Sequence, residues 1–264
     1  MARSEAGMNG HLTAVILAAG AGTRLNGNGV DRPKCLAPFG EATLLDLQIS
    51  ALRQCGITDI VVVVGFECER VRQACGSGVR FVENSRFAAT NSLYSLWLAR
   101  AVLGNGFVVL NCDVLFHPAM LTDLLTARHD AALLVSYPEP GQAAFTDEEM
   151  KVKVRRGCVA DIRKDLPASD TDGENVGIAK FGAASAPRLI ARLDDIVQSG
   201  RLREWAPRAF AAFAREAPLY ALGTRGLPWT EIDTPEDYER ALTEVFPAMA
   251  DVVDAFALPR RRRA

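Results

Sequence analysis

Between Thr13 and Val135, short apolar runs alternate with helix-patterned segments, and this alternation limits the available folds more than any other feature. Thr13–Leu17, Asp59–Val64, Val79–Val82, Phe107–Leu110 and Ala131–Val135 read as strands. Leu44–Cys55, Glu67–Cys75, Asn91–Val102 and a segment opening at Pro118 read as the helices between them. β-Branched runs such as Ile60–Val64 suit strands buried on both faces. The expected fold class is α/β, with a right-handed, mostly parallel central sheet flanked by helices. After Tyr137 the rhythm changes. Lys151–Val154 and Cys158–Ile162 flank Arg155–Arg156–Gly157, the pattern of a β-hairpin. Val176–Phe181 and Tyr220–Leu222 read as strands, Ala186–Gln198 and Arg203–Arg215 as helices, and Thr234–Pro235 as a capped helix start. This half reads as additions to one sheet.

A length of 264 residues is ordinary for a single α/β domain of roughly 250 residues. The balance of 49% hydrophobic and 23% charged residues argues against disorder. A net charge of −2 argues against a dedicated nucleic-acid binder. The apolar runs fall short of the ~20 residues of a membrane helix, so no membrane insertion is expected. Cys35, Cys55, Cys68, Cys75, Cys112 and Cys158 form no C-x-x-C pair, and the histidines are not spaced as zinc ligands. Reduced, structural thiols in a reducing, cytoplasmic compartment are expected. Residues 1–11 lack the apolar stretch of a signal peptide and read as a flexible leader. Residues 251–264 read as a basic tail in which Arg260–Arg263 form either a solvated end or an anion- or partner-binding segment.

The first strand runs into Leu17, Ala18, Ala19, Gly20, Ala21, Gly22, Thr23 and Arg24. Small residues after a strand let backbone N–H groups approach a phosphate or a base, although a tight structural turn has the same look. Two familiar motifs fail: a dinucleotide fingerprint needs glycine where Leu25 stands, and no Gly-Lys-Ser/Thr follows. The continuation is more specific, with Arg32–Pro33–Lys34–Cys35–Leu36–Ala37–Pro38–Phe39 closing the segment.

L-A-A-G-A-G-T-R-L followed by R-P-K-C-L-A-P-F resembles the signature of the nucleotidyltransferases that activate sugar phosphates and choline phosphate. Later motifs fit in order over nearly the whole chain. Asn84, and Asn91–Ser92–Leu93–Tyr94–Ser95–Leu96, stand where sugar nucleotidyltransferases carry Gln and Gly-Thr-Ala. They resemble instead the branch of bacterial CTP:phosphocholine and CTP:2-aminoethylphosphonate cytidylyltransferases. Trp229–Thr230–Glu231–Ile232–Asp233–Thr234–Pro235 resembles the late motif that closes the active site.

The resemblance implies a single Rossmann-like, GT-A-like domain over residues 12–250, its sheet mixed but mostly parallel. Residues 12–135 or thereabouts would bind nucleotide, and a hairpin and helical addition over about 136–250 would bind the acceptor. It implies magnesium-dependent transfer of a nucleotidyl group, from CTP, to a small phosphate or phosphonate with release of pyrophosphate. Such a reaction joins two anions and needs cations and in-line placement more than a strong base. Arg24 and Lys34 would neutralise the triphosphate and pyrophosphate, with residues 17–24 cradling the nucleotide and Leu25–Pro33 closing over it. Asp113 and Asp233 would hold Mg²⁺, a helix cap or turn residue being the plainer role for each. Asn84, Asn91 and Ser92 would read the pyrimidine, although Asn91 also suits a helix N-cap. Tyr137 and Trp229 would line a cage for a cationic head, Lys151 and Lys180 would reach its phosphate, and Glu174 and Glu231 would face the acceptor. Rim packing and solvated lysines are the alternatives at these positions. An NTP:sugar-1-phosphate transferase, or a catalytically inactive nucleotide-binding homologue, is the competing function. The assembly is open, a homodimer being one candidate.

Overall fold

The computed structural model describes residues 12–22, 25, 32–139 and 145–249. The leader, the basic tail, Thr23, Arg24 and most of the Leu25–Pro33 segment lie outside the described residues. In chain order the elements begin with β1 (Thr13–Ala18), β2 (Pro38–Phe39), β3 (Ala42–Thr43), α1 (Leu44–Gln54), β4 (Ile60–Val64), α2 (Cys68–Cys75) and β5 (Arg80–Glu83). Then come α3 (Ser92–Leu98), β6 (Gly106–Asn111), β7 (Val114–Phe116), α4 (Pro118–Thr126), β8 (Ala131–Ser136), β9 (Lys151–Arg155) and β10 (Cys158–Arg163). The chain continues through β11 (Gly173–Gly182), α5 (Ala186–Gln198), α6 (Pro207–Ala214), β12 (Tyr220–Gly223), β13 (Trp229–Glu231) and α7 (Pro235–Arg240).

The main sheet runs β5-β4-β1-β6-β11-β8-β12-β10-β9. Its first four strands are parallel. β11 enters antiparallel to both β6 and β8, β12 lies parallel to β8, and the β9–β10 hairpin is antiparallel. The sheet is thus mixed, parallel in its first part and mostly antiparallel in its second, with β8 and β12 as the parallel pair there. β1 and β4 are buried throughout because both sheet faces are covered. Successive residues point to opposite faces. Val15, Leu17, Val61 and Val63 therefore pack with α3, α5 and α6, while Ala14, Ile16, Val62 and Val64 pack with α1, α2 and α4. Each fully buried Leu, Ile or Val contributes about 1.5–3 kcal/mol.

Two short pairs, β2 with β3 and β7 with β13, were not legible in the periodicity. A three-residue strand holds too few alternations to be read as one. The second-half helix expected from Arg203 opens instead at Pro207, where proline fits the first helical position. All six cysteines are free, as expected. β1 has β4 on one side and β6 on the other, and the winding direction reverses there. In open α/β sheets such a reversal opens a crevice at the carboxyl ends of the strands.

Candidate active site

The crevice is a cleft of about 320 Å³. Its wall brings together Leu17, Ala19, Gly20, Gly22, Lys34, Asn84, Asn91, Ser92, Asp113, Glu231 and Asp233. Ala18 ends β1 and is buried, and Ala21 belongs to the same loop without lining the cleft. Gly22 has φ +61°, and a Cβ there would lie 2.6 Å from Lys34 Cγ. A glycine is needed for the lysine to cross the loop this closely.

Lys34 Nζ lies 3.4 Å from Asp113 Oδ2 and in direct contact with Asp233 Oδ1. One carboxylate oxygen from each of Asp113, Glu231 and Asp233 lies within 4.8 Å of the others. The β7–β13 pair builds this cluster. Glu231 stands opposite Val114, and Ile232 N–H donates to Asp113 O at 2.9 Å. Alternation then puts Glu231 and Asp233 on one side, while Ile232 is buried. Asp237 Oδ2 caps the next helix, accepting from Thr234 N–H at 3.0 Å and from Asp233 N–H at 3.2 Å.

Burial and the crowding of like charges push Glu231 up to about 8, against the pull of Lys34. Burial raises Asp113 as well, with Lys34 opposing and Asp233 reinforcing. Burial disfavours the Lys34 ammonium, but Asp113 and Asp233 outweigh it and its pKa is raised. Three carboxylate oxygens this close together fit a hard divalent ion such as Mg²⁺, which binds through carboxylates and substrate phosphates. Glu231 thus joins the two expected aspartates as a third candidate ligand.

The side of the cleft expected to read the base is partly self-engaged. Asn84 Nδ2 donates to Thr90 Oγ1 and Ser95 Oγ, both at 3.0 Å, and its Oδ1 accepts from Arg86 N–H at 3.0 Å. Asn84 therefore holds the wall together from a 1% exposed position. Asn91 is the N-cap of α3, its Oδ1 accepting from Ser92 N–H at 2.8 Å. Ser92 Oγ accepts from Ala206 N–H at 2.9 Å. Both residues line the cleft while their side-chain oxygens serve the local backbone.

Five of the expected acceptor contacts, Tyr137, Lys151, Glu174, Lys180 and Trp229, do not line the cleft. Lys151 is buried, donating to Lys164 O at 2.8 Å and pairing with Asp147 at 3.5 Å. Lys180 donates to Ala127 O at 2.8 Å and to Leu125 O at 3.4 Å, closing the carboxyl end of α4. Both ammonium groups answer backbone carbonyls, so neither reaches the cleft. Tyr137 is an exposed residue beside Gly223, and Trp229 packs against the apolar layer under the sheet; neither lines the cleft. Glu174 is half-buried near Glu149 and Arg240, and its carboxyl is pushed up to about 7 by burial first and Glu149 second.

Other residues complete the cleft wall, namely Glu148, Met150, Lys164, Asn175 and Trp205. Lys164 Nζ lies 5.4 Å from the Trp205 ring centre and 3.9 Å from Glu148. The connector that carries Trp205 is laced to α3: Asn91 N–H donates to Leu202 O at 3.0 Å and Leu93 N–H to Glu204 O at 3.2 Å. Pro207, read as a helix start, would have freed Trp205 as a loop residue. For Lys164 no local pattern was available.

Comparison with known proteins gives a consistent picture. The family model described as MobA-like NTP transferase domain matches residues 14–168. The bifunctional IPC transferase and DIPP synthase of Rubrobacter xylanophilus is 34% identical over 85% of this chain, and the match spans 50% of that protein's length. The choline-phosphate cytidylyltransferase of Streptococcus pneumoniae is 30% identical over 89% of this chain and 98% of its own. The solved structure of the CTP:phosphocholine cytidylyltransferase from Streptococcus pneumoniae superposes with a TM-score of 0.72 at 26% identity, covering 88% of this chain and 98% of that one.

Proposed function

This chain belongs to the MobA-like NTP transferase family, and from that premise we propose that it is a cytidylyltransferase acting on a small phosphate or phosphonate in the cytoplasm. Phosphocholine and 2-aminoethylphosphonate are the acceptor types it suits. An acceptor oxygen bonds to the α-phosphorus of CTP, the bond to the β-phosphate breaks, and pyrophosphate leaves. The observation that carries this reading is the Lys34 ammonium held between Asp113 and Asp233 beside the small-residue loop. The cytidylyltransferase relative supports CTP as the donor.

The acceptor oxygen is already anionic, so the residues need only gather and hold two anions. Backbone N–H groups of the loop, with Arg24 and Lys34, hold the triphosphate and offset the charge of the departing pyrophosphate. Asn91 and Ser92 face the base, on the wall that Asn84 braces. Asp113, Asp233 and Glu231 would hold Mg²⁺, which would supply neutralisation of phosphate charge. On the acceptor side, Trp205 offers a π-face to a cationic head, and Glu148 complements its charge.

Pyrophosphate release measured with each of the four NTPs against phosphocholine, 2-aminoethylphosphonate and glucose 1-phosphate tests the reading. CTP with one of the first two is the expected pair. UTP or dTTP with the hexose phosphate would instead identify a sugar-phosphate transferase. CTP binding with only background pyrophosphate release for every acceptor would identify an inactive homologue.

A further inference from the structure

We infer that Gln48 is a positioning residue that sets the carboxylate cluster from behind. It sits in the second turn of α1 and is 1% exposed. Its Nε2 donates to two backbone carbonyls, Asn111 O at 2.9 Å and Val114 O at 2.8 Å. Those carbonyls flank Cys112 and Asp113, so one side-chain amide fastens both ends of the turn that presents Asp113. Oε1 has no hydrogen-bond partner among the described residues. The amide orientation follows, because the reverse would set Oε1 against two carbonyl oxygens. A buried acceptor without a partner is a penalty that Met or Leu would not carry. Packing alone does not explain a glutamine here, whereas its two N–H bonds do.

The fastening reaches the whole cluster. Val114 opens β7 and pairs with Glu231, and Asp113 O accepts from Ile232 N–H. The start of the same helix is tied to the turn that bears Lys34: Leu44 N–H donates to Ala37 O at 2.9 Å, and Ala37 N–H donates to Lys34 O at 3.0 Å. α1 is therefore the common mount of the ammonium and the carboxylates. Without the two donors at position 48, the turn is free to shift relative to Lys34. The inference rests on the role proposed above for Asp113.

The test compares the wild type with Gln48→Met, Gln48→Asn and Asp113→Asn. The readouts are steady-state kinetics with CTP and its best acceptor, titration with Mn²⁺ alone followed by electron paramagnetic resonance, and hydrogen exchange over residues 106–116. Gln48→Met is expected to melt cooperatively and to lose roughly 10–100-fold in kcat, with KM for CTP little changed. Its Mn²⁺ affinity should fall by a similar factor, and exchange at 112–114 should rise. Gln48→Asn keeps the amide one methylene short of the carbonyls and should move the same readouts in the same direction; it serves if Gln48→Met does not fold. Wild-type kcat and Mn²⁺ affinity in the folded position-48 variant, while Asp113→Asn loses both, would overturn the inference. Asp113→Asn retaining both would overturn the role of Asp113, and the inference with it.

Discussion

Lys34 has no slack: its ammonium is enclosed by two carboxylates, and they hold its pKa up against the pull of burial. Lys34→Ala should therefore lose about 2–4 kcal/mol of transition-state stabilisation, read as kcat/KM for CTP, because it removes a pre-organised charge. A variant within threefold or so of wild type would exclude a phosphate contact, since that is well under 1.4 kcal/mol. Glu174 makes a different prediction. Its carboxyl titrates near 7 in the fold, raised from an ordinary 4.5. Between those values the folded chain holds a proton that the unfolded chain releases, so this group's contribution to stability falls as pH rises through that window. Glu174→Gln should be the more stable protein at pH 8, by up to roughly 3 kcal/mol, and the gap should close near pH 4, as urea midpoints would show. That Lys34, Asp113 and Asp233 would meet in one cleft was legible through the segments that carry the family resemblance. Lys151 and Lys180 were misread because a lysine's letter does not say whether its ammonium meets a ligand or a nearby carbonyl.

At the scale of elements, the site depends on how short pieces are tied together. Asp237 Oδ2 accepts from Thr234 N–H, Thr234 Oγ1–H and Asp233 N–H, so one carboxylate both caps α7 and fixes the backbone of Asp233. Asp237→Ala should cost about 1 kcal/mol of stability for the lost capping box. It should also lower kcat more than it raises KM, which steady-state kinetics beside a thermal melt would separate. The long strands and helices were readable from periodicity because burial on one or both faces leaves a pattern in the letters. β7 and β13 left none, although their pairing is what brings Glu231 to Asp113. The connector bearing Trp205 was equally silent, since its order comes from hydrogen bonds to α3, a partner about a hundred residues away in the chain.

At the scale of the molecule, the cleft draws on residues from Leu17 to Asp233. Occupancy should therefore register on global unfolding. CTP with Mg²⁺ at about 100 times its dissociation constant should add about 2.7 kcal/mol, seen as a raised Tm, and Asp113→Asn should lose most of that rise. The alternating pattern of the first 135 residues foretold the parallel part of the sheet. The reversed strand β11 was legible as a strand but not as the one inserted beside β6, because pairing partners are set by tertiary packing. That insertion has a geometric consequence. β6 leads into the turn of Asp113, and β11, laddered to β6 from Ile178 to Gly182, carries Asn175 on the cleft wall just before that ladder begins. Neighbouring strands stand about 4.8 Å apart and cannot be drawn nearer or farther without breaking the ladder. The pitch of the sheet thus acts as a ruler at the foot of the cleft: the two segments that leave this ladder toward Asp113 and Asn175 set out one strand spacing apart, not from either side of a hinge.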